Sequence, residues 1–131
     1  MPLDHVETLR RIYSEWARGN FSAGQDLWDP DVVFSLRPEF PDATSYHGPE
    51  GVRAYMRGFL AAWTDVTITA EEFIDANGSV AVGVYQRGIG QESGAAVELR
   101  YFQVWTFRGA KAIRFEAIRD RADVLEVIGL P

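Results

Sequence analysis

The sequence predicts an α+β fold, with helices packed on a curved, largely antiparallel sheet. Three observations carry that expectation. Helical apolar periodicity is confined to the first half of the chain and a short stretch at its end. Four segments of strand character follow one another between residues 66 and 119. Between the first two stands Asn77-Gly78, a strong two-residue hairpin signal. Helices in one run and strands in another mean α+β rather than an alternating α/β chain. With 131 residues, the chain is one domain, 1–131, and shows no repeat, linker or low-complexity segment.

Each element has a local reason. Val6, Leu9, Tyr13 and Trp16 recur at helical spacing, with Ile12 and Ala17 widening the stripe, and Gly19-Asn20 stops the helix. A second short helix is expected over 22–28, capped by Ser22 and punctuated by Asp29-Pro30-Asp31. Val32-Val33-Phe34 reads as a buried strand, and 35–48 as a long loop. Pro49 opens the next helix at its first turn, where its missing N–H costs nothing. Val52, Tyr55, Met56, Phe59, Leu60 and Trp63 form that helix's apolar stripe. Strands are expected over 66–74, 79–88, 96–107 and 112–119, then a short helix capped by Asp120 and ended by Gly129. Three helices on a bent sheet, in a chain that is 13% aromatic, suggest a cavity as well as a core.

Composition removes several function classes. A chain 47% hydrophobic and 24% charged folds rather than staying disordered. A net charge of −6 argues against binding a phosphate backbone, so no nucleic-acid partner is expected. With no cysteine there is no disulfide framework, thiolate metal site or cysteine nucleophile. No apolar run approaches about 18 residues, so no membrane span is expected, and the polar start Met1 to His5 does not resemble a signal peptide. The default location is therefore the cytoplasm. His5 and His47 lack metal-ligand spacing, so no metal is expected, and no motif calls for a cofactor. Gly88 to Gly94 is glycine-rich but joins two strands, so it is a hairpin loop rather than a phosphate cradle.

Several strings, taken together, resemble one family. They are 17–21 (Ala-Arg-Gly-Asn-Phe), 27–34 (Leu-Trp-Asp-Pro-Asp-Val-Val-Phe), 46–53 (Tyr-His-Gly-Pro-Glu-Gly-Val-Arg), 104–109 (Val-Trp-Thr-Phe-Arg-Gly), and the ending from Asp120-Arg121-Ala122 to Gly129-Leu130. With the element order, they resemble the SnoaL-like, polyketide-cyclase-like branch of the nuclear-transport-factor-2-like superfamily. The resemblance spans essentially the whole chain. It implies a cone in which a curved mixed or antiparallel sheet wraps the N-terminal helix and encloses a pocket. It also implies a homodimer through the sheet's outer face. It does not imply one activity, because the fold hosts isomerases, cyclases, epoxide hydrolases, dehydratases and non-enzymatic binders.

Period-two alternation places Leu99, Tyr101, Gln103, Trp105 and Phe107 on one strand face, which the resemblance turns toward the pocket. Gln103 then stands about where steroid isomerases of the superfamily hold an acid against the substrate oxygen. Its amide can donate to a carbonyl or oxyanion but cannot act as a general acid, and it can equally be a polar residue satisfied by a neighbour. Arg119, on the parity of Phe115 and Ala117, could bind an anionic oxygen at the pocket mouth, or pair with Asp31, Glu50 or Asp123. His47 could serve as a general base, or pack locally at a helix start, whereas His5 belongs to a mobile N-terminus. Tyr13, Trp16, Trp28, Tyr55, Phe59, Trp63, Tyr101, Trp105 and Phe115 are candidates to line the pocket or simply fill the core.

The steroid isomerases' aspartate base falls near Leu36, beside Ser35 and Arg37, so no carboxylate stands there. Glu39 and Asp42 could swing in from the loop, Asp31 caps a turn, and Glu116 faces outward. The Asp of the epoxide hydrolases is missing from the inward set. Three functions follow from these residues. The first is a cofactor-independent isomerase, cyclase or dehydratase acting on a small hydrophobic carbonyl compound. The second is a non-catalytic binder of such a ligand. The third is an assembly domain acting through Phe102, Val104 and Ile118 on the outer sheet face.

Overall fold

The computed structural model describes residues 4–36 and 45–130. Three helices pack on one six-stranded mixed sheet. Helix α1 spans His5–Trp16, and a 3-10 turn at Gln25–Leu27 leads into strand β1, Trp28–Leu36. Strand β2 is Ser45–His47, and helix α2 is Gly48–Ala62. Strands β3 to β6 are Trp63–Ala76, Ser79–Gly90, Ala96–Arg108 and Lys111–Ile118, and helix α3 is Arg121–Val127. The sheet runs β2-β1-β6-β5-β4-β3, with β1 parallel to β6 and every other pair antiparallel.

Helix α1 forms as its periodicity predicts. Asp4 caps it by accepting from the Glu7 amide at 3.0 Å, and Leu9, Ile12, Tyr13 and Trp16 are its buried stripe. The β3–β4 hairpin turns at Asn77 and Gly78, both left-handed at φ 54° and 80°, the geometry that tight hairpins require. Register shifts in β3, between Thr64 and Thr67 and between Ala70 and Glu72, bend the strand, as an unpaired extra residue does. Between the inner face of this bent sheet and the helices lies the main core, built around Trp105, Tyr13, Phe115, Leu9 and Val32.

Four expectations change. The second helix is reduced to the 3-10 turn, because Gly24 takes φ +89° and its loop closes so tightly on α1 that an added Cβ would lie 3.1 Å from Ile12. Asp29-Pro30-Asp31 lies inside β1 rather than in a turn. The β1–β6 register shifts between Trp28 and Val33, which is where a proline without a ladder donor is tolerated. Asp31 accordingly does not cap; it is exposed, 3.5 Å from Arg108, while Asp29 accepts from the Asp31 amide and from Arg108. Part of the expected 35–48 loop is the edge strand β2. His5 is held rather than loose, its ring stacked 3.9 Å from Phe107 and bonded to the Gly109 carbonyl at 3.0 Å.

The outer sheet face also differs from the expected dimer surface. Helix α3 lies across it, so Val104 and Ile118 join Ala81, Val124 and Ile128 in a second core. Asn77 ties this helix down by donating to the Ile128 carbonyl at 2.7 Å, and Arg121 lies over the Phe102 ring while pairing with Glu72. The apolar residues expected to meet a second copy are therefore covered by the chain's own C-terminal helix. Glu116 lies on this face as expected but is buried, 3.6 Å from Arg114.

Candidate functional site

A cavity of about 280 Å³ opens between the helices and the inner sheet face, near the small end of the ~300–1,000 Å³ typical of ligand sites. Each element contributes to its wall by its own period. From α1 comes Trp16, and from α2, one turn apart, come Val52, Tyr55, Met56 and Phe59. Trp28, Phe34 and Leu36 come from β1 at even positions, and Phe115 and Ala117 from β6. Trp63 was expected to end the α2 stripe; it begins β3 instead and still lines the cavity. Gly88 makes room for it, since a Cβ there would lie 3.1 Å from the Trp63 ring. Tyr55 packs on Phe34 at 4.6 Å, and Phe34 on Phe115 at 4.5 Å, so one end of the wall is continuous aromatic surface.

The polar groups are few, and most are joined in one row; Gln25, also on the wall, stands apart with its Oε1 buried and without a hydrogen-bond partner among the described residues. Trp105, fully buried behind the lining, donates from Nε1 to the Tyr13 hydroxyl at 2.9 Å. The Tyr13 hydroxyl donates to Gln103 Oε1 at 2.5 Å. Gln103 Nε2 donates to the Tyr101 hydroxyl at 3.2 Å, and Tyr101 donates to Gln86 Oε1 at 2.7 Å. Gln86, Tyr101 and Gln103 line the cavity, whereas Tyr13 and Trp105 lie behind it. Burial pushes both phenols above the ordinary tyrosine range: Tyr13 is opposed only partly by its bond from Trp105, and Tyr101 is raised further by Tyr55. Both stay protonated at neutral pH, so they act as hydrogen-bond donors and acceptors and not as bases.

Of the expected site residues, the fold brings Trp16, Trp28, Tyr55, Phe59, Trp63, Tyr101, Gln103 and Phe115 to the cavity wall. Tyr13 and Trp105 form the layer beneath. The other two do not join them. His47 is exposed at the start of α2, because Tyr46 turns inward on β2 and alternation sends its neighbour out. Arg119 is exposed just past the end of β6, where the chain leaves the sheet before its side chain can reach the cavity. The expected ion pairs of Arg119 with Asp31, Glu50 or Asp123 do not form either; among the described residues those carboxylates make other contacts or none with it. Leu36 does line the cavity, and no carboxylate, histidine, lysine or arginine does so among the described residues. Glu39, Asp42 and Arg37 lie outside the described residues. No cluster of described side chains could hold a metal ion, and no helix is long and apolar enough to cross a membrane.

Gln25 and Gln86 are polar wall residues that the sequence analysis missed. For Gln86 the signal was present: Val80, Val82 and Val84 share its parity on β4, so alternation puts an amide at the end of an inward apolar row; Gln25 lies in the 3-10 turn, which has no such pattern.

The model of the SnoaL-like domain family matches residues 9–115. The chain belongs to this SnoaL-like family. Solved structures agree on the fold. An NTF2-like protein from Burkholderia thailandensis E264 superposes with a TM-score of 0.77 at 21% identity, covering 95% of this chain and 96% of the other. A putative SnoaL-like polyketide cyclase from Jannaschia sp. CCS1 gives 0.74 at 16% identity, with coverage of 100% and 99%. TerC, crystallised with polyporic acid, gives 0.73 at 20%, with coverage of 95% and 97%. At such identities the likeness establishes the fold of this SnoaL-like protein and leaves its chemistry to its own residues. No curated protein matches the chain significantly in sequence.

Proposed function

We propose that this SnoaL-like protein binds a small hydrophobic molecule carrying a carbonyl-type oxygen. The observation behind this reading is a small aromatic cavity whose polar side chains, among the described residues, are three glutamines, Gln25, Gln86 and Gln103, and two tyrosines, Tyr55 and Tyr101, beside the indoles of its tryptophans. Apolar walls supply affinity by removing ligand surface from water, and the amides fix its orientation. Binding is favoured over turnover because no carboxylate or histidine among the described residues lines the cavity, and the two candidates for charged chemistry, His47 and Arg119, are exposed elsewhere.

One observation favours a second, catalytic reading. Amide N–H groups aimed at a carbonyl also stabilise an enolate, so cofactor-independent isomerisation, cyclisation or dehydration is open to a ligand that carries its own acidic or basic group. A homodimer remains part of the proposal, formed through the half of the outer face that α3 leaves open around Tyr85 and Arg100. Sedimentation as a monomer at micromolar concentration contradicts it.

A thermal-shift screen of steroids, lactones, aromatic polyketides and small carboxylic acids, polyporic acid included, tests the binding reading. Ligand at 100 times Kd stabilises the fold by about 2.7 kcal/mol, several degrees at this size. Hits followed by product analysis separate binder from enzyme. Silence across the library from folded protein rejects both.

A further inference from the structure

One polar atom on the cavity wall stands outside the hydrogen-bonded row. Gln25 is half-buried, its Oε1 is fully buried, and no group among the described residues donates to that oxygen. The turn that carries Gln25 is pinned on both sides of it. The Trp16 indole donates to the Ala23 carbonyl at 3.2 Å, the Leu27 amide donates to the Gly24 carbonyl at 3.0 Å, and Lys111 Nζ donates to the Asp26 carbonyl. These three donors are spent on the backbone of the turn, so they fix its place against the wall and leave the Gln25 side chain without them. A buried carbonyl tolerates the lack of a partner better than a buried N–H does, which favours the oxygen-inward orientation of the amide. A buried acceptor without a donor is still unfavourable, and a ligand donor removes that penalty. The same wall narrows the kind of donor. No carboxylate among the described residues lines the cavity, so a protonated amine would be buried without a counter-charge. A neutral O–H or N–H meets no such obstacle. In the sheet, β6 separates β1, which follows Gln25, from β5 and β4, which carry the polar row, so the wall has two separate polar places.

We propose that Gln25 is a specificity-determining residue of the cavity, its side-chain carbonyl accepting a hydrogen bond from a neutral hydroxyl or N–H of the ligand. The ligand class narrows to compact ring compounds that carry such a donor, most simply a hydroxyl, as well as the carbonyl-type oxygen. The inference rests on the binding reading above and adds to it a second recognised group and the residue that reads it. An unpaired acceptor kept in the wall lowers the stability of the free protein. Its removal therefore acts in opposite directions on stability and on recognition, as expected of a residue retained for binding.

Matched probes isolate the effect. 1-Indanone is the parent, and 4-hydroxy-, 5-hydroxy- and 6-hydroxy-1-indanone are each compared with the 1-indanone that carries a methyl group at the same position. Hydroxyl and methyl are close in size, so the members of a pair differ chiefly in the donor. Their dissociation constants are measured by ligand-observed NMR or calorimetry. The wild type is expected to bind at least one hydroxyl compound at least about tenfold more tightly than its methyl partner, the size of effect that pairing a buried acceptor produces. Gln25→Met keeps the length of the side chain and removes the acceptor. In it the methyl compound should bind as well as the hydroxyl compound or better, while the melting temperature stays level or rises. Loosened packing weakens both members of a pair, lowers the melting temperature and leaves the ratio unchanged. Should Gln25→Met fail to fold, Gln25→Leu removes the same acceptor and carries the same expectation. The lack of a hydroxyl preference at every ring position in the wild type overturns this inference and leaves the binding reading standing. A preference that survives in a folded Gln25 variant overturns it equally. Absence of binding by every probe, 1-indanone included, overturns the binding reading and this inference with it.

Discussion

Replacing Gln103 by leucine should destabilise the protein although it puts a larger apolar surface into an apolar wall. Gln103 is 5% exposed and receives the proton of Tyr13, itself 2% exposed. In Gln103→Leu that buried hydroxyl keeps its donor, Trp105, but loses its acceptor, and an orphaned buried donor costs about 1–3 kcal/mol. Tyr101 loses an incoming bond but still donates to Gln86, which adds little. The added apolar burial offsets part, leaving a net loss of about 2 kcal/mol. With an unfolding entropy of about 2.1 cal/mol/K per residue, the melting temperature falls by about 7 °C.

Tyr13→Phe strands Gln103 Oε1 and Trp105 Nε1 and should cost a similar amount. The combination is the decisive measurement. Once both partners are gone, only the Trp105 N–H is left unpaired, so the double variant should lose about 2 kcal/mol rather than the roughly 4 that simple addition gives. Urea denaturation of the four proteins, followed by circular dichroism, measures the cycle. Additivity to within about 0.5 kcal/mol, or a neutral Gln103→Leu, refutes the row as a coupled unit.

Other consequences follow from the same geometry. Tyr13 and Tyr101 have folded-state pKa values raised above the unfolded value of 10.0 by burial. Their contribution is therefore fully present below pH 10 and lost as the pH rises above it, with a slope of up to about 2.7 kcal/mol per pH unit for the pair; denaturation between pH 9 and 11 should show it, and Tyr101→Phe should roughly halve it. Val124 is fully buried between α3 and the sheet. Val124→Ala should cost about 2 kcal/mol through lost burial and a residual void, read as a lowered urea midpoint. His47→Ala and Arg119→Ala remove exposed side chains remote from the cavity wall. Each should leave 1-indanone affinity within about twofold and stability within about 0.5 kcal/mol, and a larger loss of affinity contradicts the placement of the site.

Much of this architecture was legible in the residues because it rests on short-range patterns. The α1 stripe, Pro49 at the start of α2, the Asn77-Gly78 turn and the strict alternation of Leu99, Tyr101 and Gln103 each encode one element or one face. What was not legible depends on tertiary closeness. Nothing local says that Gly24 is pressed against Ile12, which leaves 22–28 a turn rather than a helix. The three-residue strand β2 has too little pattern to declare itself, and its edge position comes from pairing with Val33, Phe34 and Ser35. The outward row Phe102, Val104 and Ile118 is as apolar as an interface, and only the return of α3 shows that the chain covers it itself. For the site, alternation identified the wall residues, but parity beyond a strand's end placed Arg119 wrongly, since β6 stops at Ile118. Gln86 was overlooked because its role depends on Tyr101, fifteen positions away.

The central claim is that the aromatic cavity, and no other surface, receives the ligand. Ala117 is 3% exposed and lines that cavity on β6, so Ala117→Phe fills it from a rigid strand. Calorimetric titration of 1-indanone into the wild type and into folded Ala117→Phe tests the claim most directly. Saturable binding by the wild type, weakened at least about tenfold in the filled variant, is the predicted result. No binding by the wild type, or equal binding by both proteins, contradicts it.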